Sequence, residues 1–193
     1  MIERLAGLIT DKQIEKGNIE EKDRAVYQYG YILMAEVFIN VMISVIIGIL
    51  FHTLIEVIVL LLVFIPLRSY AGGYHMPHAW QCIIMTNILV LLITVCSGYL
   101  ADCVPAGMWI VPDILAGSVI WYLSPVDTAA KPLDEEEKII FRKKARFICT
   151  AEICLNIFML LCGWKRLVCV AVMSHCALVL SLVLEKKLNG SRN

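Results

Sequence analysis

The sequence predicts an all-α polytopic integral membrane protein of about six transmembrane helices, with an amphipathic helix at its N-terminus. Three observations carry that expectation. Of 193 residues, 60% are hydrophobic, and the mean hydropathy is +0.77. A soluble domain of this size needs polar surface that this chain lacks, so lipid is the expected solvent. The apolar residues fall into six runs, and the charges cluster between them, in residues 1–24, in residues 131–146 and at the C-terminal end.

Taken in order, residues 1–16 set Ile2, Leu5, Leu8 and Ile9 at near-helical spacing. This is the pattern of a helix lying on a membrane surface, or of one packing on other cytoplasmic parts. Gly17-Asn18 breaks it, and 1–30 forms an N-terminal segment with no cleavable signal core. The membrane domain then covers 31–184, with spans expected at 31–50, 53–67, 82–101, 107–123, 147–164 and 167–184. A hydrocarbon core needs about 20 helical residues, so the second run is short. Residues 185–193 form a polar tail.

An even span count puts both termini on one side, and positive charge says which. With the N-terminus inside, 15 Lys and Arg residues fall on inner segments and only Lys165 and Arg166 on outer ones. The link between spans two and three, 68–81, then faces the cytoplasm. Net charge is zero, so no basic field points to nucleic acid. The eight cysteines form no CxxC pair and mostly sit in apolar runs, where cysteine behaves as a small hydrophobe.

The most unusual stretch is RSYAGGYHMPHAWQC, residues 68–82. Gly72-Gly73 permits positive φ or close backbone approach. Pro77 disfavours helix at Met76 and suits the first turn of a new helix. His75 is therefore expected in a turn, with Cys82 one to two turns into the next helix. In a continuous helix the two would lie about 10 Å apart along the axis, so contact needs a bend. A histidine near a cysteine can take the thiol proton and make a nucleophile. By spacing alone, the same residues also fit a structural cysteine beside a wet interfacial histidine. His75, His78 and Cys82 match no strong zinc pattern, so no metal and no cofactor is expected.

The stretch resembles the active-site segment of the accessory gene regulator B (AgrB) family. These are bacterial membrane endopeptidases that process a quorum-sensing peptide precursor. The matching residues are Arg68, Ala71-Gly72-Gly73-Tyr74-His75 and, seven residues on, Cys82. SPVDTAAKPL, residues 124–133, resembles the family's second motif, a Pro-x-Asp followed by Lys/Arg-Pro. The resemblance implies a multi-pass protein of the bacterial cell membrane with both termini cytoplasmic. It implies Cys82 as nucleophile and His75 as its general base, with Arg68 and Gly73 supporting the site. It also implies a peptide precursor (AgrD-like) as substrate and a homodimer as the assembly. The implied reaction is cleavage through an acyl-thioester on Cys82, then ring closure to a thiolactone or lactone.

Several residues carry two readings each. Arg68 orients a substrate carboxylate, or anchors the end of span two. Asp127 orients His75 as a third member, or caps the turn at Pro125. Arg142, Lys143 and Lys144, with Arg146, either recognise an acidic segment of the precursor or contact anionic membrane lipid. Glu36, Glu56, Asp113 and Glu152 lie in or near apolar runs, where ionisable groups are costly and often functional. His175 is expected to be buried and hydrogen-bonded. The rival function is a small peptide transporter or exporter component using those acids, and a third is a non-enzymatic scaffold.

Overall fold

The computed structural model describes residues 2–74, 76, 78–126 and 133–192. Among them the chain forms α1 (Ile2–Glu15), α2 (Arg24–Leu50), α3 (Leu54–Ala71), α4 (Ala79–Cys103), α5 (Ile110–Leu123), α6 (Glu135–Leu161) and α7 (Lys165–Arg192). No strand occurs among the described residues; Gly72 and Val126 make a single isolated bridge. Helix is what a lipid-facing chain must form, because each helix satisfies its own backbone polar groups. Apolar side chains such as Leu62, Leu92 and Leu115 remain exposed around the bundle, where acyl chains rather than protein cover them.

Among the described residues, five stretches are long and apolar enough to cross a membrane: Glu21–Leu50, Leu54–Ala71, Ala79–Cys103, Ala106–Leu123 and Lys165–Leu188. The sequence led us to expect six. The difference lies in α6. The apolar run expected over 147–164 stops at Leu161, because Gly163 takes φ +76° and turns the chain. The first half of α6 is polar, capped by Asp134 accepting from the Glu137 amide at 2.7 Å. The short second run, by contrast, lengthens: α3 continues through Pro66 to Ala71.

α1 packs along α2 and buries Ala6 and Thr10, while Leu5, Leu8 and Ile9 stay exposed. Arg24 ties it down through Asp11 at 2.6 Å. α7 is central: it packs on α3, α4, α5 and α6, and Val170, Leu178 and Leu182 bury completely against Val57, Leu67 and Ile120.

Polar pairs between helices pin these apolar surfaces in register. Asn87 on α4 donates to Asn40 Oδ1 on α2 at 2.7 Å. Glu56 on α3 meets Arg166 on α7 at 2.9 Å. Such bonds supply specificity where lipid removes the hydrophobic drive between helices.

At the C-terminal end of α3 the chain reverses through Gly72, at φ +82°. The Val126 amide donates to Ala71 O at 3.0 Å, which docks the end of α5's loop against this turn. A Cβ on Gly72 would stand 2.3 Å from Val126 O. Gly72→Ala therefore combines an unfavourable φ with a backbone clash. We expect it to lower stability by about 1–3 kcal/mol, read as a lower unfolding midpoint in detergent, with Gly30→Ala, which meets open space, as control.

Candidate active site

The site forms where α3 ends and α4 begins. Arg68 occupies the last turn of α3, and Cys82 is the fourth residue of α4. His78 is the residue before α4, with extended backbone, and the Cys82 amide donates to its carbonyl at 3.4 Å. His78 is thus the N-cap residue of α4, and Cys82 lies in the first turn.

Between the helices, Gly73 and Tyr74 are held by one serine of α7. The Tyr74 amide donates to Ser181 Oγ at 2.9 Å and to Ser181 O at 3.2 Å. Arg68 Nη1 donates to the same hydroxyl at 3.0 Å, and Arg68 Nη2 donates to Tyr74 O at 2.7 Å. Gly73 sits at φ +132°, and a Cβ there would lie 2.6 Å from Ser181 Oγ. Only glycine lets the link approach α7 this closely. Arg68 therefore reaches across the link, and its guanidinium also stands 5.6 Å over the Phe64 ring.

Cys82 is partly exposed and lines a cavity of about 190 Å³ between α2, α3, α4 and the start of α6. Leu60, Phe64 and Phe141 form its apolar wall, and Arg68, Glu36 and Cys82 supply its polar groups. Glu36 comes from α2 and is 8% exposed. It lines the same cavity as the Cys82 thiol and Thr86. Arg68 lies within electrostatic range of both Cys82 and Glu36. A thiol, a carboxylate and a guanidinium thus share one largely apolar chamber, where charges interact strongly.

Of the residues singled out from sequence, Cys82, Arg68 and Gly73 come together here. His75 and Asp127 lie outside the described residues. Arg142, Lys143 and Lys144 are exposed on α6; Lys144 Nζ stands 5.0 Å over the Tyr70 ring, beside the cavity. Arg146 is engaged by Trp121, whose carbonyl accepts from it at 3.3 Å. Two residues of the site were not assigned to it from sequence. Glu36 was visible as a costly acid in an apolar run, a signal that marks function without marking place. Ser181, one serine in an apolar helix, carries no such signal.

His175 is fully buried, as expected, between Asp113 and Glu152. Those acids and Glu56 are all under a tenth exposed, although Glu56 pairs with Arg166, whose side chain is 43% exposed.

The family model for accessory gene regulator B matches residues 2–184. An AgrB-like protein of Clostridium perfringens (strain SM101 / Type A) is 27% identical over 147 residues, covering 72% of this chain and 67% of its own. AgrB-like protein 2 of Clostridium perfringens (strain 13 / Type A) is 25% identical over the same length, with the same coverage. No solved structure matches the chain. With the match running from α1 to the last apolar turns of α7 and taking in the whole Cys82 site, this chain belongs to the accessory gene regulator B family.

Proposed function

We propose that this chain is a membrane cysteine endopeptidase that also promotes cyclisation of its product, an autoinducing peptide. Membership of the family supports involvement in processing a regulatory peptide precursor. The observation that carries the finer reading is Cys82 itself, a partly exposed thiol at the polar end of an apolar cavity that Glu36 and Arg68 also line. Most other cysteines of the chain lie in helix interiors with no such surroundings.

In this reading His75 removes the Cys82 proton, and Sγ attacks the carbonyl carbon of the scissile peptide bond. The tetrahedral intermediate collapses as the C–N bond breaks. His75 returns the proton to the leaving amine, and the C-terminal fragment departs. The N-terminal part remains as a thioester on Cys82. A cysteine or serine side chain of the same peptide then attacks that thioester, and Cys82 leaves as a thiol. Exchanging one thioester for another keeps the acyl group activated, so a thiolactone needs no ATP. Exclusion of water favours closure over hydrolysis, which suits a chamber walled by Leu60, Phe64 and Phe141.

Arg68 faces the charge that forms on Cys82, Glu36 shapes the polar end of the cavity beside it, and Gly73 with Ser181 sets the path of the link that bears His75. Asp127 orients His75 in this scheme. Arg142, Lys143 and Lys144 offer positive charge to the departing acidic segment of the precursor. With α6 taken as the sixth crossing, 15 of the 17 basic residues fall on one side, and the Cys82 end and both termini face the cytoplasm of a bacterial cell membrane.

The test is reconstitution with the precursor encoded beside this chain's gene. Cys82→Ala should abolish cleavage while leaving the helical spectrum intact. A transporter or scaffold would keep its function, so cleavage unaffected by Cys82→Ala ends the peptidase reading. Wild-type protein mixed with substrate should show an adduct with the mass of the N-terminal fragment, released by hydroxylamine. His75→Ala should slow cleavage by about 100-fold or more, the usual contribution of a positioned acid–base group. Glu36→Gln and Ser181→Ala should each cost about 5- to 100-fold in kcat/KM, equivalent to the ~1–3 kcal/mol of a lost buried polar interaction. Equal rates for either variant and wild type would remove that residue from the scheme.

A further inference from the structure

Three ionisable side chains meet inside the bundle, apart from the Cys82 cavity and unused by the reaction above. His175 on α7 is fully buried. Its Nδ1 lies 2.7 Å from Asp113 Oδ1 on α5, and its Nε2 lies 3.1 Å from Glu152 Oε2 on α6. Each contact needs a hydrogen between nitrogen and oxygen. The three groups therefore hold at least two protons between them. With two they carry one net negative charge, whichever atoms own the protons. With three they are neutral.

No cation among the described residues answers that negative charge. Of the elements packed on α7, α3 brings Glu56 and Arg68, at its two ends. Glu56 binds Arg166, and Arg68 binds Ser181 and Tyr74. α4 brings no lysine or arginine; its titratable groups are Cys82 in its first turn, Cys96, and Tyr99, Asp102 and Cys103 toward its far end. α5 brings Asp113 alone. Besides Glu152, α6 brings Cys149, whose thiol donates to Gly117 O at 3.7 Å, while its basic residues cluster at the Cys82 end. On α7 itself, Cys176 faces outward. An uncompensated charge in such surroundings is costly, and one further proton removes it.

A second observation identifies the atom that takes this proton. Asn156 on α6 is 2% exposed and donates from Nδ2 to Asp113 Oδ2 at 3.0 Å, yet its own Oδ1 has no partner. Half a turn of the amide exchanges nitrogen for oxygen at nearly the same positions. Asn156 then accepts a hydrogen bond from a protonated Asp113 Oδ2. One side chain thus serves Asp113 as carboxylate and as carboxylic acid. Beside them lies a cavity of about 10 Å³, lined by Trp109, Asp113 and Asn156, at the lower limit for one water. Trp109 Nε1 is buried there without an acceptor. Trp109 belongs to the turn between α4 and α5, at the bundle end opposite Cys82, so this small cavity lies on the side of Asp113 nearest that end.

We propose that Asp113, Glu152, Asn156 and His175 form an intramembrane proton-binding site, with Asp113 Oδ2 as the acceptor. On loading, a hydronium ion gives its proton to Oδ2, water is released, and the assembly passes from one net negative charge to neutral. The inference stands apart from the peptidase reading, since it uses none of the same residues.

The test is infrared difference spectroscopy of the full chain in lipid nanodiscs, with the pH lowered from about 8 to about 5, a range in which exposed carboxylates stay largely ionised. The expected result is one slowly deuterating carboxylic-acid carbonyl band per chain. That band shifts when aspartate is carbon-13 labelled and does not shift when glutamate is. Asp113→Asn should abolish it. Because the label alone makes the assignment on wild-type protein, a poorly folding variant leaves the proposal exposed to test. No such band at the acid end, a band that follows the glutamate label, or one that persists in Asp113→Asn overturns it.

Discussion

A polar group inside this bundle has no water to turn to, so it must find its partner on another helix. That constraint organises the molecule. Ser181 is its clearest expression. One hydroxyl accepts from the Arg68 guanidinium and from the Tyr74 amide, and so joins α7, α3 and the glycine link. Without it, the arginine and the link would each need another acceptor in an apolar setting. The two glycines answer the same demand: Gly73 lets the backbone reach the serine, and Gly72 lets it lie against Val126.

The reactive end follows from this anchoring. Arg68 is held from two sides, which fixes a positive charge at the mouth of the cavity. Glu36 enters from α2 and shares the cavity with the thiol of Cys82 on α4, so three helices contribute one functional group each. The α2–α4 contact that brings them together depends on another buried polar set, Asn40 with Asn87. The remaining polar set, around His175, joins α5, α6 and α7 farther from the thiol. α7 thus carries both ends, with Ser181 near the thiol and His175 deeper in the bundle.

α6 shows where composition stops predicting architecture. Its apolar residues suggested a span ending at 164, yet the helix ends at Leu161, and its first turns are acidic and basic in succession. Length and hydropathy measure how a segment meets lipid. They say nothing of a helix whose inner face is polar and answered by neighbours, as Glu152 and Asn156 are by His175 and Asp113. The sixth crossing was expected from apolar composition, while the helix that fills its place is held largely by buried polar contacts.

By itself the sequence determined the all-helical membrane fold, the helix on its N-terminal side and the grouping of Arg68, Gly73 and Cys82 around one link. These follow from local rules: run length, glycine and proline chemistry, and a motif whose residues are neighbours along the chain. Only the tertiary structure decided that Glu36 shares a cavity with Cys82, that Ser181 belongs to Arg68, that Asp113 and Glu152 share His175, and that Asn156 binds Asp113. Those partners lie on different helices, dozens of residues apart. A buried polar side chain shows in the sequence that it needs a partner, but packing alone chooses which one it gets.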